Sequence, residues 1–265
     1  MPPDPLSENK DFDAPSVFEP AALLREARRQ KRFPEASVPP LCILDPDGDI
    51  VRHLKVSGLA ARADTWPCYH TDLFAFPLAG RPASIVGCAV GAPFAVLIAE
   101  QLFASGCRML ISVTSAGQIV PAGTPPYFVV IDRALRDEGT SHHYASPAAY
   151  AEADPRIVGM AERALAAADL RAYTGASWTT DAPFRETETA IAAARAKGVL
   201  AVEMEAAALY TFAAVRNRAV LCLAHVTNTM GLAERDFEKG EADGTTDALK
   251  VLEALATAFR SADIG

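Results

Sequence analysis

The chain is poor in the residue patterns that most sharply define a function class. Its 265 residues hold five cysteines, Cys42, Cys68, Cys88, Cys107 and Cys222, with no C-x-x-C pair and no metal-ligand spacing. That removes the usual cysteine-based zinc and dithiol readings; an odd number of thiols in apolar surroundings points instead to reduced, buried side chains in a cytoplasmic protein. Positive charge is also scarce. Lysine and arginine number 25 against 33 acidic residues, a net charge of −8, which argues against a nucleic-acid partner but leaves room for a local pocket for one small anion. No apolar run reaches the length of a membrane span. The opening Met1-Pro2-Pro3-Asp4-Pro5 is acidic and proline-rich, unlike a signal peptide. There are no internal repeats, and the only biased tracts are alanine-rich helices.

What is present is an alternation of strands and helices. Residues 1–18 read as a flexible lead-in, and residues 19–265 as one domain. Phe18 to Arg32 has the spacing of an amphipathic helix, and Pro39-Pro40 breaks the chain before an apolar strand, Leu41 to Leu44. A polar turn, Asp45-Pro46-Asp47-Gly48-Asp49, follows. From Ala83 to Gly117 the pattern is strand, glycine turn, helix, strand, which predicts a parallel crossover. Further strands are expected at Pro126 to Asp132, Ala172 to Trp178, Val199 to Val202 and Ala219 to Val226. Helices are expected at Ala148 to Leu165, Phe184 to Lys197, Ala206 to Arg216 and Thr246 to Arg260. The expected fold class is α/β.

The most informative segment is Val202-Glu203-Met204-Glu205, followed at once by Ala206-Ala207-Ala208-Leu209-Tyr210. It places two carboxylates where a buried strand turns into a helix, at the strand end where open α/β sheets bind ligands. Burying them is costly without hydrogen-bond partners. The plainer alternative is that both merely favour the positive end of a helix.

This segment resembles the signature of the nucleoside phosphorylase family: uridine phosphorylases, hexameric-type purine nucleoside phosphorylases and methylthioadenosine/adenosylhomocysteine nucleosidases. The resemblance runs in order from about Leu41 to Phe259. It includes Leu78 to Pro93 as the second strand with its glycine turn at Gly91, Ser112 to Gly117, and Thr179-Thr180-Asp181-Ala182-Pro183-Phe184-Arg185. Arg136-Asp137-Glu138-Gly139-Thr140-Ser141-His142-His143-Tyr144 is similar to the family's Arg-x-Glu-Gly-Thr-Ser-x-x-Tyr stretch. The likeness implies a single-domain, three-layer α/β/α fold with a mixed, partly closed central sheet. It implies that Met204 and Glu205 hold a ribose, the carboxylate accepting from the 2′ and 3′ hydroxyls, with Glu203 beside them. A carboxylate is an acceptor-only group suited to a vicinal diol.

By the same resemblance, Phe184, Arg185, Asp181 and Asn228 address the base, and Ser112, Ser115, Gly117 and Gly91 line the side from which the acceptor arrives. Each has a plainer alternative: Gly91 and Gly117 as turn glycines, Phe184 as core, Asn228 as a turn cap. His70 reads as a surface histidine or as a contact donated across a dimer interface. His142 and His143 read as solvated, and no metal is assigned. Relatives are dimers or trimers of dimers, so a homo-oligomer is expected. No cofactor is implied; inorganic phosphate enters as a co-substrate.

Two departures from the family pattern concern phosphate. The family's Gly-Asp-Pro-x-Arg loop is here Asp45-Pro46-Asp47-Gly48-Asp49-Ile50-Val51-Arg52, leaving Arg52 out of register as the best arginine available, and Ser112 replaces an arginine on the central strand. Each missing charge-assisted bond is worth ~1.5–3 kcal/mol. Three acidic side chains in the loop also repel an anion if they face inward. The expected reaction is cleavage of a nucleoside's N-glycosidic bond, by phosphorolysis first. Hydrolysis, with water activated by a carboxylate such as Glu203, and non-catalytic nucleoside binding remain as alternatives. The identity of the base, purine or pyrimidine, stays open.

Overall fold

Leu41–Asp45 (β1) lies between Arg81–Gly87 (β4) and Met109–Gln118 (β5), parallel to both, with Ile43 opposite Ile85 on one side and Ile111 on the other. These three strands are almost wholly buried, which explains their continuous apolar runs in place of alternation. The computed structural model describes residues 6, 8–229 and 239–259. Ala61–Arg62 (β2) and Phe74–Leu78 (β3) extend the sheet antiparallel beyond β4. On the other side stand Tyr127–Asp137 (β6), Tyr150–Glu152 (β7), Ala172–Thr180 (β8), Ala201–Glu203 (β9) and Ala219–Asn228 (β10).

The sheet runs β10-β6-β8-β9-β5-β1-β4-β3-β2, with β7 on β6, and β10 pairs a second time with β5. That second pairing closes β5, β10, β6, β8 and β9 into a ring, so the mixed sheet is a small barrel with an open wing. The expected α/β class with a partly closed mixed sheet is observed, and the crossover between β4 and β5 brings both strands beside β1.

Among the described residues seven α-helices cover the sheet: Pro20–Lys31 (α1), Asp49–Val56 (α2), Ala92–Ala104 (α3), Pro155–Ala167 (α4), Glu188–Ala196 (α5), Ala206–Arg216 (α6) and Thr245–Ala258 (α7). Helix α6 is the most enclosed; every residue from Ala206 to Ala213 is buried. It packs between α3 and strands β6 and β10, and small alanine side chains permit that close approach. The Tyr210 hydroxyl donates to the Ile131 carbonyl at 2.6 Å and accepts from the Cys222 amide at 2.9 Å, tying α6 to two strands of the ring. Among the described residues no helix is long and apolar enough to cross a membrane.

Several expected boundaries shift, each for a local reason. The predicted helix Ala148 to Leu165 is strand β7 followed by α4, because Asp154 accepts from the Arg156 amide as an N-cap and Pro155 occupies the first turn. The predicted helix from Phe184 starts only at Glu188, where Thr187 caps it; Pro183–Arg185 is a separate 3-10 turn. Pro20 delays α1 by two residues relative to Phe18. The polar turn after β1 runs directly into α2, which the turn residues concealed. Residues 8–18 contain no helix or strand, and Arg260, the expected end of the last helix, lies outside the described residues.

Candidate active site

Strand β9 is three residues long, yet it fixes the site. It runs antiparallel to the end of β5, with Gly117 opposite Val202, and parallel to β8, with Thr179 opposite Glu203. Glu203 is thereby delivered among the hydroxyls of β8. Its Oε1 accepts from Ser177 Oγ at 2.9 Å and Thr179 Oγ1 at 2.6 Å, and its Oε2 accepts from the amides of Glu205 and Ala206, both at 2.7 Å. Four donors therefore engage this buried carboxylate, and two of them are backbone amides at the start of α6. The chain folds this way because those amides lack intrahelical acceptors. Glu203 is a structural cap. Both oxygens of the carboxylate expected to activate a water are engaged by protein donors in this geometry.

Glu205 is different. It is 1% exposed, its Oε1 accepts from the Gly91 amide at 2.7 Å, and its Oε2 makes no well-formed hydrogen bond, with the Thr114 hydroxyl as a nearby donor to the carboxyl. Gly91 precedes α3 at φ +93°, a backbone conformation that glycine adopts without strain. Burial raises the Glu205 carboxyl to about 8, and the nearby charge of Glu203 adds to the rise, while the Gly91 amide and Thr114 hydroxyl pull against it. Burial also pushes Glu203 upward, but its four donors favour the ionised form. Burial thus pushes both carboxyls above the ordinary carboxylate range. Met204, between them, is half-buried.

Beside Glu205 lies the loop after β1. Asp47 Oδ2 accepts from the Ser115 amide at 2.7 Å and its Oδ1 from the Ser115 hydroxyl at 2.8 Å. Asp45 is buried and accepts from the amides of Gly48 and Val51, capping α2; burial raises it to about 7, with Asp47 and Asp49 adding. Asp49 pairs with Lys239 and with Arg52, the latter at 2.6 Å. Arg52 is exposed and turned to that partner, so the arginine expected to bind an anion does not face Ser115. The three carboxylates, Ser115, Lys239, Thr245 and His225 share a cavity of about 20 Å³, and the Thr245 hydroxyl is buried without a partner.

His225 sits opposite Ser115 on β10 and stacks on Phe128 at 4.4 Å; burial lowers it to about 4, leaving a neutral imidazole at neutral pH. Asn228, half-buried, ends β10 opposite Gly117 after an irregularity in the pairing. Ser112 lies three residues deeper in β5, opposite Leu44 and Cys222, with its hydroxyl buried and unpartnered.

The structure thus brings together Gly91, Ser115, Gly117, Met204, Glu205 and Asn228 at one end of the ring. It does not bring in Phe184, which is 99% exposed, or Arg185, also exposed. Asp181, exposed, accepts from the Gly139 amide at 2.8 Å and ties two loops together. His70 is exposed, with its ring centroid 6.4 Å from that of Phe94 in the first turn of α3. The expected roles of Phe184 as a stacking platform and of Asp181 as a base contact find no support within a single chain. In the sequence Asp47 reads only as a repelling charge, and nothing local marks His225 or Lys239 as neighbours of Ser115. Asp47 sat in the segment matching the family's anion loop. His225 carried no local signal, since only strand pairing places it beside Ser115.

A family model described as the phosphorylase superfamily matches residues 40–259. A uridine phosphorylase of Thermococcus kodakarensis is 28% identical over 191 residues, covering 65% of this chain and 68% of that protein. Among solved structures, a uridine phosphorylase of Vibrio fischeri superposes with a TM-score of 0.71 at 23% identity, over 86% of this chain and 95% of that one. A purine nucleoside phosphorylase of Toxoplasma gondii superposes with a TM-score of 0.72 at 18% identity, over 86% and 94% respectively. At these identities the two structures share the fold.

Proposed function

The chain belongs to the phosphorylase superfamily, and from that premise we propose that it cleaves the N-glycosidic bond of a nucleoside, with phosphate as the acceptor. One observation carries the reading: Glu205 presents a buried carboxyl oxygen that makes no well-formed hydrogen bond, with the Thr114 hydroxyl nearby and its other oxygen held by Gly91. A buried acceptor without a donor is a standing cost that a ligand hydroxyl removes. A ribose with two adjacent hydroxyls supplies such donors, and a carboxylate that grips them also favours positive charge developing on the sugar ring. In the reaction a phosphate oxygen bonds to the anomeric carbon as the bond to the base nitrogen breaks. The base leaves with the bonding electrons and takes up a proton. The relatives named above support phosphate as the acceptor.

Hydrolysis is the second reading, favoured by Asp47, whose carboxylate already holds both Ser115 donors. Release of free base from purine and pyrimidine nucleosides, measured with and without phosphate, separates the two. Phosphate-dependent release supports the first reading, phosphate-independent release the second, and no release from any nucleoside overturns both. The reading also carries a homo-oligomer in which the exposed Phe184 and Arg185 meet a second copy. Sedimentation of an active monomer would contradict that part.

A further inference from the structure

The donor pair at Ser115 is already occupied from within the chain. Its amide and hydroxyl converge on the two oxygens of one carboxylate, Asp47, at 2.7 and 2.8 Å. Such a pair suits any small oxyanion, because two convergent donors match two oxygens of a carboxylate or a phosphate equally. The surrounding cavity measures about 20 Å³, room for roughly one water and not for a tetrahedral anion. The neighbouring charges are Asp45, Asp49, Asp243 and Lys239, and the lysine is engaged by Asp49. Arg52 is engaged by the same aspartate. Adjacent to the pair stands Glu205, on whose carboxyl the charge of Asp47 acts, so an anion at Ser115 would lie next to the proposed sugar site.

We propose that Asp47 is the residue that selects the acceptor: its carboxylate stands in the place of a phosphate, so that phosphate reaches Ser115 only by displacing it. This inference rests on the proposed nucleoside cleavage for its kinetic consequence, but not for its binding consequence. Removing Asp47 frees both donors, enlarges the cavity and deletes one negative charge at the same point. None of the four other charged side chains at the cavity, Asp45, Asp49, Asp243 and Lys239, changes.

The test uses the full chain and three variants, Asp47→Ala, Asp47→Asn and Asp47→Ala combined with Ser115→Ala. Inorganic phosphate and sulfate are titrated against melting temperature, and nucleoside cleavage is measured over the same phosphate range. The expected result is stabilisation of Asp47→Ala by either anion at concentrations at least about tenfold below those needed for the parent chain. The apparent KM for phosphate should fall by a similar factor with the nucleoside KM little changed. Adding Ser115→Ala should return the anion response toward that of the parent. Asp47→Asn keeps an acceptor for the serine donors while losing the charge, so it should fall between the two and serves if Asp47→Ala does not fold.

Equal anion responses in the parent and both single variants overturn the proposal. If the anion response appears in Asp47→Ala but no nucleoside is cleaved by any protein, the role of Asp47 stands and the functional reading falls. If cleavage occurs with the same phosphate dependence throughout, the functional reading stands and the role of Asp47 falls.

Discussion

Glu205 and Gly91 are 114 positions apart in the chain and joined by a 2.7 Å hydrogen bond from the glycine amide to the carboxyl Oε1. The bond links the start of α3 to the start of α6, and it leaves the remaining oxygen of Glu205 without a well-formed hydrogen bond. Two residues earlier, Glu203 has all its acceptors engaged. The same side chain in near-identical burial serves as a cap at one position and as an open acceptor at the other.

Glu205→Ala should lower kcat/KM for nucleoside cleavage by at least about a hundredfold, since two charge-assisted hydrogen bonds of ~1.5–3 kcal/mol each are lost. Its stability should fall less than that of Glu203→Ala, because only the Gly91 amide loses its acceptor while a buried, poorly bonded oxygen is removed. Steady-state kinetics beside a thermal melt checks both halves. An active variant would remove Glu205 from the sugar site.

Glu203→Ala should do the opposite. It strands Ser177, Thr179 and two helix amides without their acceptor, and each buried orphan costs about 1–3 kcal/mol. Urea denaturation should show a loss of about 3 kcal/mol or more. A variant as stable as the parent but inactive would assign Glu203 to chemistry after all.

Gly91→Ala tests the support beneath Glu205. At φ +93° an added Cβ meets only the Pro93 ring at 3.9 Å, so space is not the obstacle. The penalty is conformational, about 1–3 kcal/mol, and relief by rotating the backbone would draw the amide away from Glu205. Stability and kcat/KM should fall together. A loss of stability with full activity would separate the turn from the site.

Stability should also depend on pH in a particular sense. Glu205 moves from an ordinary 4.5 to about 8 and Asp45 from 3.8 to about 7, both through burial. Between those limits the folded chain retains protons that the unfolded chain has released. Stability is therefore fullest below the lower values and declines as pH rises toward the upper ones. Urea midpoints followed from about pH 5 to about pH 8 should fall, and Glu205→Gln, which carries no such proton, should flatten the slope. A slope unchanged by that substitution would count against the unpaired carboxyl.

Much of this was legible in the sequence where the signal is local. Helix α6 was bounded from the motif and the alanine run at Ala206 and Arg216, as observed, because its start follows the two glutamates and its apolar run is continuous. The buried strands β1, β4 and β5 were visible as apolar runs. The strand β7 was hidden because Tyr150–Glu152 is too short to outweigh the helical pattern that follows it. The division of labour between Glu203 and Glu205 was not legible, since it depends on Thr179 and Ser177 of a neighbouring strand and on Gly91 of a distant turn. The grip of Asp47 on Ser115 spans 68 positions, and no local pattern records it.

The unpartnered oxygen of Glu205 has a consequence for how a nucleoside is taken up. Burial pushes this carboxyl up to about 8, and if two sugar hydroxyls donate to it, as proposed, they favour the ionised form and the proton leaves. Uptake near neutral pH should therefore acidify the medium by a fraction of one proton per site. Binding heats measured in two buffers of different ionisation enthalpy should differ in proportion, and the difference should vanish in Glu205→Gln. Seen this way, the sugar pocket is also a proton donor to the surrounding water, and its affinity for nucleosides should strengthen as the solution becomes more alkaline, even as the empty fold weakens.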